Sequence, residues 1–124
     1  FLLSAINRED ISKRRIENYN HILDWFSSRK QSAVRPFFSE IINYTPYAFA
    51  IISDNKRINK LYDLFYSVGI YVQSWPDLPP SVQEDDENHM TAITLRKSLL
   101  LLPVHQSLTM DHMDNITEIL IKAD

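Results

Sequence analysis

Apolar residues at helical spacing predict a long amphipathic helix over residues 7–31. They recur at intervals of three or four positions, which places them on one face: Ile16, Tyr19, Leu23 and Phe26. Asn7 stands where its side chain can cap the first turn. This face also carries Trp25 and must be buried, either on the rest of this domain or on another part of a larger protein. In this chain alone we expect the face to be exposed and to promote association.

A strand, a helix and a second strand are predicted over residues 47–74. Tyr47–Ile52 is apolar throughout and indicates a strand. Apolar residues at helical spacing follow from 55 to 68, with Asp54 as the cap. Gly69 is the only glycine of the chain, and it stands where the end of a helix favours a left-handed residue. With Ile70–Ser74 as the next strand, the pattern predicts a βαβ unit.

Two segments show no clear period. Residues 34–46 contain two prolines and are predicted as a loop, with a short extended piece at Arg35–Phe38. Residues 81–88 are polar and include the acidic run Glu84–Glu87. We expect this second segment to be a mobile surface loop, because runs of like charge usually face water.

The C-terminal part of the chain returns to regular patterns. Met90–Lys97 is predicted as a short helix, Ser98–Val104 as a third strand, and Thr109 as the cap of a last helix that reaches residue 122. The sum is an α+β fold, with a small sheet of about three strands packed by helices. We expect one domain, in which residues 1–33 hold the long helix and residues 34–124 form the core.

The composition of the chain excludes several classes of protein. The chain has 124 residues, 44% of them hydrophobic, with no cysteine and a net charge of −3. The absence of cysteine excludes disulfide scaffolds and thiolate zinc sites, and a single glycine excludes a glycine-rich phosphate loop. The mild negative charge argues against a nucleic-acid-binding protein. No apolar run is long enough to span a membrane, and we expect a cytoplasmic protein.

Neither a metal site nor a catalytic group is predicted from residue spacing. The four histidines are not paired at helical intervals of three or four, so no metal site is expected. His105, Ser107 and Asp111 have the residue types of a hydrolase triad, but they are crowded into one turn, where a triad needs separate elements. The aromatic residues in the centre of the chain are interpreted as core packing. An RNA-stacking sheet is the alternative, but its recognition motif is absent.

Three segments resemble the C-terminal region of the DegT/DnrJ/StrS family of pyridoxal-phosphate-dependent sugar aminotransferases. The first is the helix with Arg14, Arg15, Asn18 and Tyr19. The second is the strand–helix–strand pattern that ends at Gly69 and Ile70. The third, which weighs most, is the segment Leu102–Thr109, with the sequence LPVHQSLT. Their order and spacing agree over nearly the whole chain.

The resemblance implies the small C-terminal domain of a fold-type I aminotransferase. In such enzymes a large domain of the same polypeptide holds pyridoxal phosphate on a Schiff-base lysine, and none of the lysines here stands in the family's Ser-x-x-Lys setting. We therefore expect the large domain to be missing, no cofactor to bind this chain, and the isolated chain to be inactive. The full enzyme is expected to be a homodimer that acts on a sugar or nucleotide-sugar in polysaccharide or secondary-metabolite biosynthesis.

The resemblance also places residues 73–79 nearest the active site of the full enzyme. Many family members carry a His-rich stretch here, whereas this chain has QSWPDLP. Trp75 can stack on a ring and Gln73 can donate and accept hydrogen bonds, so both are predicted to bind substrate. The alternative for Trp75 is a plug in the core. The alternative for the whole chain is a stand-alone α+β module for interaction or ligand sensing.

Overall fold

The protein is described by a computed structural model that covers residues 7–29, 32–38, 40, 43–74 and 78–123. This part of the chain contains five helices and four strands. The helices are α1 (Arg8–Ser27), α2 (Asn55–Ser67), α3 (Pro80–Gln83), α4 (Asp86–Ser98) and α5 (Met110–Ile121). The strands are β1 (Arg35–Pro36), β2 (Ala48–Ile52), β3 (Gln73–Ser74) and β4 (Leu99–Pro103).

The strands form one sheet in the order β1-β2-β4-β3, and each neighbouring pair is antiparallel. β2 and β3 therefore run in the same direction on either side of β4. The predicted βαβ unit is present as a strand–helix–strand sequence, but its two strands are not neighbours. The leucine-rich β4 takes the position between them and pairs with both.

Side-chain alternation turns one face of the sheet into the core. Phe49 and Ile51 of β2 are buried and lie opposite Leu102 and Leu100 of β4. Helices α1, α2 and α5 contribute further buried side chains to the same cluster. The opposite face carries Ala50 and other half-buried residues, so the core lies mainly on the helical side.

The apolar face of α1 is part of this core. Tyr19 is 4% and Phe26 is 7% exposed. Their rings lie 4.7 and 5.9 Å from the ring of Phe49, and the Phe26 ring is nearly parallel to it. Trp25 is half-buried beside the same cluster. The expectation that this face is exposed in the chain alone is wrong, because the sheet of the same chain supplies the apolar surface that α1 needs.

The predicted ends of the helices are largely confirmed. The Asn7 side chain accepts hydrogen bonds from the first turn of α1, and the Asp54 side chain accepts one from the Arg57 backbone N–H. Gly69 has φ of 77° just after α2, as a left-handed residue at a helix end requires. The Thr109 side chain caps α5, and His112 completes a capping box. Helix α1 ends at Ser27, earlier than predicted, and residues 30 and 31 lie outside the described part.

Residues 81–88 lie at the surface as predicted, but the prediction that they form a loop is wrong. Pro80 begins α3 in the position that a helix tolerates for proline. Asp85 then caps α4, which begins four residues earlier than the predicted helix at Met90. The acidic run is therefore divided between the C-terminal end of α3 at Glu84 and the cap and first turn of α4 at Asp85–Glu87. Negative charge is favourable at the latter, N-terminal positions.

The fold class is confirmed as α+β, with one strand more than the expected three. The additional strand is β1, which lies in the extended piece predicted at Arg35–Phe38 and pairs with the end of β2. The predicted strand over Ile70–Ser74 is reduced to its last two residues. None of the helices in the described ranges is long and apolar enough to cross a membrane.

Candidate functional site

The loop between β4 and α5 is held by one buried amide. Asn18 of α1 is only 1% exposed. Its Nδ2 lies 3.0 Å from the carbonyl oxygen of His105 and 3.4 Å from those of Val104 and Leu108. A buried amide with two N–H groups is costly unless it is bonded, so this contact fixes the loop on α1.

Two arginines beside Asn18 extend this contact. The Arg15 Nε donates to Gln106 Oε1 at 2.6 Å, and its Nη1 donates to the carbonyl of Pro46 at 3.3 Å. The Arg14 Nη2 donates to the carbonyl of Leu108 at 3.3 Å. The polar residues of the first and third resembling segments are thus bonded to each other, although they are some ninety residues apart in sequence.

A cleft of about 480 Å³ lies beside this loop. Its volume is within the range of small-molecule sites in proteins. The floor is apolar and comes from the end of β4, the start of α5 and the segment after α2. The lining residues are Arg15, Tyr47, Ala48, Gly69, Ile70, Tyr71, Gln73, Leu101, Leu102, Pro103, Val104, His105, Leu108, His112 and Ile116.

Gln73 is the one predicted substrate-binding residue that the structure describes. It begins β3, lies opposite Leu101 in the sheet and lines the cleft. Its Nε2 donates to the Tyr47 hydroxyl at 3.1 Å, which leaves the Tyr47 O–H and the Gln73 Oε1 for another partner. Trp75 lies outside the described residues.

Sequence reasoning missed the other polar residues of the cleft. Tyr47 is far in sequence from His105 and His112, and the three residues line the same cleft only in the tertiary structure. The available signal was the LPVHQSLT segment itself, which includes His105 and precedes His112.

The local geometry of His105 does not match a hydrolase triad. Its Nδ1 lies 2.7 Å from Ser107 Oγ and accepts from the Ser107 backbone N–H at 3.2 Å. In a triad the nitrogen facing the carboxylate is Nδ1 and the serine meets Nε2. No group of three or more metal-ligating side chains occurs among the residues that the structure describes.

A second, larger groove of about 830 Å³ lies between α2 and α4. It is lined mainly by polar side chains, including Asn55, Asn59, Arg96 and Lys97. The second resembling segment contributes to this groove through α2, but the first and third segments contribute no residue to it, whereas both line the cleft beside Gln73. The cleft beside Gln73 is therefore the better candidate for a specific site.

No protein-family model matches the chain, and no curated protein matches its sequence. Solved structures do match. The aminotransferase TlmJ from Streptoalloteichus hindustanus has a TM-score of 0.72 at 14% identity, over 93% of this chain and 32% of that one. A DegT DnrJ EryC1 StrS aminotransferase from Brucella abortus has a TM-score of 0.69 at 17% identity, over 92% of this chain and 31% of that one. This chain folds like one part of these aminotransferases.

A third match extends the same result. Helicobacter pylori PseC, an aminotransferase involved in the biosynthesis of pseudoaminic acid, has a TM-score of 0.66 at 14% identity. The match covers 91% of this chain and 32% of PseC. The chain thus spans about a third of the length of the structures it matches. The resemblance carried by the three sequence segments is confirmed at the level of the fold.

The lysines described here do not fit a Schiff base with pyridoxal phosphate. All of them are exposed on helices or at helix ends: Lys13, Lys56, Lys60, Lys97 and Lys122. A Schiff-base lysine needs surroundings that lower its pKa, and no lysine of the described ranges lines the cleft. Lys60 Nζ instead donates to the carbonyl of Lys122 at 2.8 Å.

Proposed function

We propose that this chain is the small C-terminal domain of a pyridoxal-phosphate-dependent aminotransferase of the DegT/DnrJ/StrS type. The observation that carries the proposal is the fold likeness, which includes more than nine-tenths of this chain and about a third of each enzyme. The bonds from Arg14, Arg15 and Asn18 to the LPVHQSLT segment support it. They show that the polar residues of two resembling segments together hold the β4–α5 loop against α1.

The proposal includes the partners and the setting of the complete enzyme. A larger domain of the same polypeptide would supply the cofactor and its lysine, and this chain alone would be inactive. The complete enzyme would be a cytoplasmic homodimer. Its substrate would be a sugar or nucleotide-sugar in polysaccharide or secondary-metabolite biosynthesis.

Gln73 and Trp75 are proposed to face the substrate in the complete enzyme. Gln73 supports this by its place in the cleft and by its bond to Tyr47. Trp75 follows two residues later in the sequence, directly after β3 and before three prolines at positions 76, 79 and 80. An aromatic ring at such an exit can stack on a sugar or a base.

The cofactor test compares this chain with the longer polypeptide that contains it. Each is mixed with pyridoxal phosphate, reduced with borohydride and dialysed, and the modified lysine is located by peptide mass. We expect an adduct on one lysine outside residues 1–124 and none within them. A stoichiometric adduct on one lysine of this chain would overturn the proposal that a separate, larger domain supplies the Schiff-base lysine. Absence of any adduct on the longer polypeptide would favour the stand-alone module.

The substrate test uses Trp75→Ala in the longer polypeptide. As a substrate contact, Trp75 should raise KM or lower kcat when removed, with an almost unchanged Tm. As a core plug, its loss should lower the free energy of unfolding by about 3–5 kcal/mol and leave the kinetics of the folded enzyme normal. Trp25→Ala is the matched control, because Trp25 packs beside the core and does not itself line the cleft, and should change Tm alone.

A further inference from the structure

The cleft beside Gln73 has an unusual charge for this protein. The chain carries a net charge of −3, yet the cleft lining includes Arg15 and two histidines and no Asp or Glu. The described hydrogen-bond acceptors of the Arg15 guanidinium are both neutral, an amide and a carbonyl oxygen. The cleft therefore favours a negatively charged group.

Both histidines are held with the same nitrogen turned toward the backbone. The Nδ1 of His105 accepts from the Ser107 N–H, and the Nδ1 of His112 accepts from the Thr109 N–H at 2.9 Å. A backbone N–H can only donate, so each Nδ1 must carry a lone pair. The proton of each neutral imidazole is then on Nε2. Both histidines line the cleft, so each can offer one Nε2–H donor to a ligand there.

Two tyrosine rings give the same cleft a flat apolar rim. Tyr47 is 70% and Tyr71 is 75% exposed, although both line the cleft. Large aromatic rings usually bury most of their surface in a core or an interface. Exposed at a cleft, they offer a surface on which a planar ligand can stack.

We propose that this cleft binds a small compound that has a flat ring and one anionic group. His105 and His112 bind the anionic group through their Nε2–H donors, and the ring lies against Tyr47 and Tyr71. This inference adds a ligand chemistry to the cleft of the proposed function. Its test uses the 124-residue chain alone, so its failure leaves the aminotransferase proposal standing.

The first experiment follows all four histidine rings by two-bond ¹H–¹⁵N NMR at a pH where they are neutral. We expect the Nε2–H tautomer for His105 and His112 in the free protein. Phenyl phosphate and benzoate should shift both rings in a saturable way and distinguish a phosphate from a carboxylate ligand. His21 and His89, which do not line the cleft, should not move. Inorganic phosphate lacks the ring and benzyl alcohol lacks the charge, so both should bind at least tenfold more weakly.

Two variants remove the donors and keep the local structure. In His105→Asn the Oδ1 can still accept from the N–H two residues on, and in His112→Gln the Oε1 can still close the capping box. Each loses the imidazole Nε2–H. We expect each to weaken phenyl phosphate binding about tenfold or more, as the loss of a hydrogen bond to a charged group requires. His89→Gln on α4 is the matched control and should bind as the unaltered chain does.

Three results would overturn the inference. One is an Nδ1–H tautomer at either residue in the free protein. Another is equal, non-saturable shifts of all four histidines, which would show only unspecific ion binding. The third is normal binding by both folded variants, which would remove the histidines from the site.

Discussion

The β4–α5 loop and the helix pair α3–α4 use the same kinds of polar side chain in different ways. In the loop, Asn18 bonds to carbonyls that lie 86 to 90 residues away in sequence. In the helix pair, Gln83 bonds to Leu78 and Asn88 bonds to Asp85, within five residues. Neither α3 nor α4 has a buried residue. A polar contact specifies tertiary structure only when its partner is distant in sequence and when the contact is shielded from water.

The largest expected effect tests the packing behind this difference. Phe49→Ala removes a fully buried ring that contacts Tyr19 and Phe26. We expect a loss of about 3–5 kcal/mol in the free energy of unfolding. Leu95→Ala on the half-buried face of α4 should cost about 1 kcal/mol. Urea unfolding measures both, and equal losses would show that α4 belongs to the core as fully as β2 does.

A smaller effect compares two asparagines that each donate from Nδ2. Asn18→Ala removes the side-chain donor of the buried Val104 carbonyl and one donor from the carbonyls of His105 and Leu108, and we expect a loss of about 1–3 kcal/mol. Asn88→Ala breaks an exposed local bond and should change stability by less than about 0.5 kcal/mol. Amide hydrogen exchange of residues 104–108 should accelerate in the first variant alone. Unchanged exchange there would mean that the loop does not depend on Asn18.

The smallest effect concerns pH. The Arg57 backbone N–H, followed by the Arg57 side chain, lowers the pKa of Asp54, and the Asn88 side chain lowers the pKa of Asp85. A lowered pKa means that the folded state binds fewer protons than the unfolded state. The stabilisation is therefore complete above the ordinary carboxyl range, near about pH 4, and is lost as the pH falls through the lowered value.

Two variants sharpen this comparison. Asp54→Asn keeps a capping oxygen but no longer titrates, so Tm should fall less steeply below about pH 4. Asp85→Asn should change the dependence of Tm on pH less than Asp54→Asn does. Asp85 caps α4, which buries no residue, whereas Asp54 caps α2, which buries Ile58, Leu61 and Phe65. A scan of Tm against pH tests the order of the two effects, and a reversed order would contradict the contrast between the helices.

Local patterns alone determined most of the elements. The starts of three helices could be predicted from their capping residues, because capping depends only on the nearest N–H groups: Asn7, Asp54 and Thr109. The end of α2 could be predicted from Gly69, because a left-handed φ is a local property. The acidic run at Glu84–Glu87 faces solvent as expected, but it does not form a loop, because Asp85 caps α4. In the site, Gln73 was predicted from the family resemblance and from the strand end beside it. It lines the cleft, and its role in binding substrate stays a prediction.

Only the tertiary structure decided how these elements meet. The sequence left open whether the apolar face of α1 packs on this chain or on another surface. An amphipathic pattern shows that a face must be buried, but it does not show which surface covers that face. The same holds for β4. Its leucines indicate a central position in the sheet, but they do not indicate which strands lie on either side. The cleft unites Tyr47, Gln73, His105 and His112 across three segments, and such a meeting depends on strand order and on the Asn18 contact, which no local period encodes.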